Sequence, residues 1–309
     1  MIGILDWLKV VLISVVEGIT EWLPISSTGH MMLVEEFLPF HNAQVFSEAY
    51  MKMFNVVIQL GAIMAVVTQF FKKLNPFAKG ISEKRKKGIL RTWLYIIIAT
   101  MPAAVLGLLF DDFLDTHLYN VYVVSAMLIL YGIGFLVVEY LNRDTDGTKQ
   151  DSLMGQTADS SVPYDGKLQT KGNRIDKLGK MNWKTALIIG GFQVLALIPG
   201  TSRSGATILG GMIVGCSRAV AAEFSFFLAI PVMFGASLLK IVKYAIEAGT
   251  SIQAIQVIIL IVSMGIAYGV SLLAIRFLMG YIREHDFKAF GIYRIILGIL
   301  VLILMTVFR

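Results

Sequence analysis

Six stretches of this chain stay apolar for about the thickness of a lipid bilayer: roughly 54–71, 93–110, 121–141, 224–243, 255–275 and 290–308. A helix needs about 20 such residues to cross a hydrocarbon core, and a backbone away from water must close its hydrogen bonds within the segment. The chain is therefore expected to be an all-α, polytopic integral membrane protein. Composition agrees, with 56% apolar and only 16% charged residues, against roughly 45–50% and 25% in soluble domains. The formal charge of +6 does not point to nucleic acid, because the basic residues fall in short loops between apolar stretches. A single cysteine, Cys216, excludes a disulfide framework or a thiolate metal site. Residues 1–16 lack a basic start, carry Asp6 and Lys9 and reach Glu17 without a small-residue cleavage site, so they do not read as a signal peptide.

Two further apolar regions, about 1–38 and 185–221, are broken by polar islands. The first island is Glu17-Gly-Ile-Thr-Glu21-Trp-Leu-Pro24-Ile-Ser26-Ser27-Thr28-Gly29-His30; the second is Pro199-Gly200-Thr201-Ser202-Arg203-Ser204-Gly205-Ala206-Thr207. These regions read as re-entrant or broken helices, which survive at membrane depth only when buried in protein or lining a wet cavity. An ionisable residue at that depth costs about 2.5–3.5 kcal/mol even on the lenient insertion scale. Two carboxylates, an imidazole and a guanidinium held there are expected to be functional. Carboxylates, hydroxyls, His and Arg are also the groups that handle phosphate, which suggests an integral membrane enzyme acting on a phosphorylated lipid.

Loop charge sets the orientation. Residues 72–91 hold eight Lys or Arg against Glu83 alone, so that loop is expected inside; 111–119, with Asp111, Asp112 and Asp115 and no Lys or Arg, is expected outside. The polar stretch 142–182 reads as a flexible cytoplasmic linker within a single membrane domain, 1–309, whose halves are 1–141 and 183–309. Each half has one broken region followed by three spans, so the halves enter the membrane from opposite sides. Ser26-Ser27-Thr28-Gly29 matches Ser202-Arg203-Ser204-Gly205 in spacing, and Glu17 then falls opposite Gln193. Together these imply an inverted repeat whose broken regions meet near the midplane.

The residue types define what such a meeting could do. Glu17 and Glu21 share a helical face. Pro24 interrupts that helix, and Ser26 or Ser27 is the natural N-cap of the next, whose free N–H groups favour an anion. Ser27 and His30, three residues apart, can face one cavity. In the second island Gly200 and Gly205 admit close backbone approach, Ser202, Ser204 and Thr207 supply hydroxyls, and Arg203 supplies a fork suited to two phosphate oxygens. The spacing is not that of a Walker loop.

Both islands, with Phe54-Asn-Val-Val-Ile-Gln-Leu-Gly-Ala62 and Ala103-Ala104-Val-Leu-Gly-Leu-Leu-Phe-Asp111-Asp112, resemble the undecaprenyl-diphosphate phosphatases, the bacitracin-resistance phosphatases of bacteria. The resemblance covers both membrane halves and leaves out 142–182. It implies hydrolysis of undecaprenyl diphosphate to the monophosphate and inorganic phosphate at the outer face of the cytoplasmic membrane, which recycles the lipid carrier for peptidoglycan. It also implies dependence on a divalent cation. Mg²⁺ or Ca²⁺ would suit Glu17 and Glu21, which otherwise handle protons.

On this reading Arg203 clamps the diphosphate with donors from Ser26, Thr28, Gly200, Ser202, Ser204, Gly205 and Thr207. Ser27 is the preferred nucleophile, with His30 or Glu21 as base. His30 as nucleophile and direct attack by water are the alternatives. The partners expected are the polyprenyl diphosphate and the bilayer, with a homodimer left open. The rival class is an inverted-repeat transporter or flippase of a lipid phosphate or small anion, with Arg203 as its binding residue.

Overall fold

A computed structural model describes residues 2–154, 175–248 and 252–307. The described chain is all-α: α1 (Ile4–Thr20), α2 (Ser27–Phe37), α3 (Glu48–Val57), α4 (Gln59–Gln69), α5 (Phe71–Leu74), α6 (Glu83–His117), α7 (Val121–Met154), α8 (Trp183–Leu195), α9 (Arg203–Ile213), α10 (Arg218–Ala248), α11 (Ala254–Glu284) and α12 (Lys288–Val307). Among the described residues six stretches of helix are long and apolar enough to cross a membrane: Glu48–Gln69, Glu83–Phe110, Val121–Asn142, Arg218–Glu247, Ala254–Glu284 and Lys288–Val307. They coincide with the six expected from hydropathy.

Burial follows the logic of a lipid solvent. At most half of any spanning window is covered by protein, and in Glu83–Phe110 only 17%. Leu109, Ile261 and Ile303 stand outward and exposed, which costs nothing where hydrocarbon replaces water. The interior is built around the first half of α10, where Phe224, Phe226, Phe227 and Leu228 are buried with Ala206 and Ile208 of α9.

Three of the four helices flanking the islands are too short to span. α2 and α9 have 11 residues each and α8 has 13, about 16–20 Å at 1.5 Å per residue against a core of about 30 Å. They form two hairpins, α1–α2 and α8–α9, enclosed by the long helices. α1 packs on α11 and α8 on α6; α2 touches α12 and α9 touches α7; α7 packs on α12 and α4 on α10. The approach of α8 to α6 is close enough to require glycine: a Cβ on Gly190 would lie 2.4 Å from the Ala99 carbonyl oxygen.

Two expected loops differ. Residues 111–117 continue α6, and the connection to α7 is only Leu118–Asn120. A helix does not have to end where the bilayer does, because its backbone bonds are closed on either side of the interface. The side chains of Asp111, Asp112 and Asp115 are not among those described. Of the stretch 142–182, the first part extends α7 to Met154, and 155–174 lie outside the described residues. Its end is anchored: the Ile175 N–H donates to the Gly215 carbonyl at 2.9 Å, and the Ser217 N–H donates back to Ile175 at 2.9 Å. Near the same end of the bundle, buried Glu139 of α7 accepts two hydrogen bonds from Arg218 of α10, at 2.9 and 2.6 Å, and one from the Phe287 N–H at 3.0 Å. That carboxylate ties three elements together.

Candidate active site

The two islands fold by one local device. After α1 the chain turns through Pro24 and reaches Ser26 at φ +75°; after α8 it turns through Gly200, at φ +89°, and reaches Ser202 at φ +66°. These serines are the only non-glycine residues with positive φ among the described residues. Such a conformation costs about 1–3 kcal/mol and persists only where its surroundings enforce it. Each serine caps the helix that follows: Ser26 Oγ accepts from the Gly29 N–H at 3.4 Å, and Ser202 Oγ accepts from the Gly205 N–H at 3.2 Å. The first N–H groups of α2 and α9 have no intrahelical acceptor. Ser27 and Thr28 at one start, and Ser202 and Arg203 at the other, line the same cavity.

Across that cavity the islands are joined by charge. Arg203 Nη2 lies 3.2 Å from Glu21 Oε1, with both side chains at least 91% buried. Ser27 Oγ donates to the other oxygen, Glu21 Oε2, at 3.1 Å. Arg203 Nη1 donates to the Ser225 carbonyl at 2.7 Å, and the guanidinium stands 5.6 Å from the centre of the buried Trp22 ring. Glu17, 1% exposed, lies beside Glu21 and Gln59, and its Oε1 has no hydrogen-bond partner.

The remaining expected residues take other places. Ser204 Oγ donates to the Glu21 carbonyl at 3.0 Å, and Thr207 Oγ1 donates to the Arg203 carbonyl at 2.8 Å. Both hydroxyls are spent on the scaffold, as Ser and Thr often are in helices, and neither lines the cavity. Gly205 lies behind the cap, where a Cβ would come 3.0 Å from the Arg294 guanidinium. His30 also faces away. Its Nδ1 is 2.7 Å from the Ser26 carbonyl and its Nε2 2.7 Å from the Tyr293 hydroxyl, with the two rings stacked 5.6 Å apart. A ring with Nδ1 donating to the carbonyl and Nε2 accepting from the hydroxyl has no nitrogen left for Ser27. Of the two bases considered for Ser27, the structure brings Glu21 to it and not His30.

Arg294 on α12 is the residue that sequence reading missed. It is fully buried. Its Nη1 donates to the Pro24 carbonyl at 3.3 Å, and its Nη2 to the carbonyls of Gly200 at 3.1 Å and Thr201 at 2.9 Å. One guanidinium thus holds both turns, with the Tyr131 ring 5.5 Å away. The available signal was an arginine inside an apolar span.

A cation at Glu17 and Glu21 is compatible with the donors present. Glu17 Oε1 and Gln193 Oε1 are buried and unpartnered, and hard divalent cations take oxygen ligands. Among the described residues no group of three His, Cys, Asp or Glu is gathered. Amide and substrate oxygens would have to complete the shell.

The cavity measures about 400 Å³. Its polar end is Glu21, Ser27, Gln59, Gln193, Ser202 and Arg203, and its walls are Ala103, Ala104 and Leu108 of α6 with Val232, Met233 and Leu239 of α10. A site polar at one end and apolar along its walls fits an amphiphile with an anionic head.

Comparison with known proteins agrees with this chemistry. The family profile described as "Bacitracin resistance protein BacA" matches residues 10–300. The chain is 50% identical over 295 residues to the protein named undecaprenyl-diphosphatase of Streptococcus mutans, covering 96% of this chain and 94% of that one. It is 49% identical over 299 residues to that of Acetivibrio thermocellus, covering 97% of each. To that of Enterococcus faecalis it is 49% identical over 290 residues, covering 94% of each.

Proposed function

Because the chain belongs to the bacitracin resistance protein family, we propose that the cavity between the two capped turns is where its reaction takes place. The protein is a multi-pass membrane hydrolase. It converts undecaprenyl diphosphate to undecaprenyl phosphate and inorganic phosphate. The observation that carries the site assignment is the chain of contacts from Ser27 through Glu21 to Arg203 at the cavity's polar end.

The mechanism follows from those contacts. The diphosphate competes with Glu21 for Arg203, and the free N–H groups at the starts of α2 and α9 add donors for its oxygens. Glu21, released from the pair, accepts the Ser27 hydroxyl proton. Ser27 Oγ forms a bond to the terminal phosphorus, and the bond from that phosphorus to the bridging oxygen breaks. Undecaprenyl phosphate leaves with the bridging oxygen and its electron pair. Water then attacks the phosphorus of the phosphoserine, the bond from phosphorus to Oγ breaks, Oγ takes back the proton held by Glu21, and inorganic phosphate leaves carrying the oxygen and protons of the water. Glu17 and Glu21 are the residues that would hold a divalent cation, which would supply charge neutralisation at the phosphates. The positions of His30 and Tyr293 speak against a phosphohistidine.

The basic residues of 72–91 support a cytoplasmic start for α6. Ala103, Ala104, Gly107 and Leu108, toward the other end of α6, line the cavity, which supports an opening on the extracytoplasmic side of the bacterial inner membrane. The test is phosphate release from undecaprenyl diphosphate by detergent-purified protein, with and without EDTA, followed by acid quenching with substrate labelled in its terminal phosphate. Label on Ser27 is expected. Release without label on protein would turn the mechanism to direct attack by water. Gradient-dependent uptake without release would turn the assignment to a transporter.

A further inference from the structure

Gln193 of α8 is 1% exposed, and neither its Nε2 nor its Oε1 has a hydrogen-bond partner. It lines the same cavity as Glu21, Ser27, Ser202 and Arg203. A buried primary amide with both ends unpaired is costly, and buried polar groups are otherwise paired almost without exception. Of the other unpaired buried groups, only Arg203 Nε belongs to a residue that lines the cavity; Trp22 Nε1, Ser125 Oγ and Ser263 Oγ, for example, do not. An unpaired amide facing a space is explained by what enters that space.

Its place in the chain narrows the chemistry. Gln193 stands as far before Ser202 as Glu17 stands before Ser26, and both serines begin the capped turns. One half therefore presents a carboxylate where the other presents an amide. A carboxylate only accepts hydrogen bonds, whereas an amide also donates two. A third carboxylate beside Glu17 and Glu21 would repel an anionic headgroup. The amide adds no charge and offers N–H groups to it.

We propose that Gln193 is a substrate-binding residue whose amide N–H donates to a phosphate oxygen of the diphosphate headgroup. The assignment rests on the cavity being the diphosphate site. It adds a neutral donor opposite the first island, on a helix to which neither the nucleophile nor the arginine belongs.

The test uses Gln193→Leu and Gln193→Met in the full-length protein in detergent, so that one variant that fails to fold does not decide the matter. Two readouts are taken: the rise in melting temperature caused by inorganic pyrophosphate or by orthophosphate, and the kinetic constants on undecaprenyl diphosphate. Unliganded variants are expected to melt at or above the wild-type temperature, because an unpaired buried amide has been removed. The pyrophosphate-induced rise should be lost, and kcat/KM should fall about tenfold to a hundredfold, mainly through KM. An equal loss with orthophosphate assigns the contact to a phosphate common to substrate and product; loss with pyrophosphate alone assigns it to the diphosphate. The proposal is overturned if both variants keep the wild-type pyrophosphate response and kinetics, if both melt lower when unliganded, or if wild-type protein shows no response to pyrophosphate. A wild-type pyrophosphate response without any turnover would defeat the hydrolysis reading and leave the contact standing.

Discussion

At Ser26 and at Ser202 the backbone does the same thing: it adopts a positive φ and starts a short helix that the serine caps, with Ser27 and Ser202 at the border of one cavity. The side chains around the two serines do opposite things. The first turn carries Glu17 and Glu21; the second carries Arg203, with Gln193 and Leu197 at the matching positions. One local turn occurs twice, and one copy carries the acids while the other carries the base. On the proposed mechanism neither copy alone has both a proton acceptor and a cation for the phosphate.

The comparison breaks most sharply if either copy proves dispensable. Glu21→Ala and Arg203→Ala are each expected to lower phosphate release by about 10³. Near-normal turnover in either, measured on purified protein with undecaprenyl diphosphate, would mean that the turns are not halves of one site. Within the first turn, Ser27→Ala should match that loss, whereas His30→Gln, which disturbs only hydrogen bonds that position the turn, should cost about tenfold. Abolition by His30→Gln with Ser27→Ala still active would return the histidine to the chemistry.

What joins the copies is tested by stability. Arg294→Met strands the carbonyls of Pro24, Gly200 and Thr201 in the interior. Removing one partner from a buried hydrogen bond costs about 1–3 kcal/mol, so a clear fall in thermal unfolding temperature in detergent is expected. An unchanged temperature would show that the turns hold themselves. The smallest effect concerns the caps. Ser26→Ala and Ser202→Ala should each destabilise by about 1 kcal/mol, and Gly at either position by less, since it relieves the positive φ. Unequal costs in chemical denaturation would show that the two turns only look alike.

The islands were legible because their signals are local. A serine three residues before a glycine, preceded by a proline or glycine turn, marks a helix start whatever packs around it. Sorting the island's side chains was not local. Ser204 and Thr207 carry the same hydroxyl as Ser202, yet they bond to carbonyls while Ser202 borders the cavity. Only the direction each helix faces separates them. His30 was placed with Ser27 because three residues put both on one side of a helix, but the stack against Tyr293 of α12 turned its ring elsewhere. Arg294 lay outside any motif, in an otherwise uniform apolar span.

The sequence by itself determined that this is an all-α membrane protein with six spans, where its two broken regions lie, and that Ser26 or Ser27 caps the helix after the first. Hydropathy and capping act within a helix or a single turn, so they can be read along the chain. Only the tertiary structure decided that Glu21 meets Arg203 across 182 residues, that His30 turns to Tyr293 across 263, and that Arg294 gathers both turns. Those contacts depend on which faces of rigid helices pack together, and a chain of apolar spans leaves many such packings open until the buried charges find their partners.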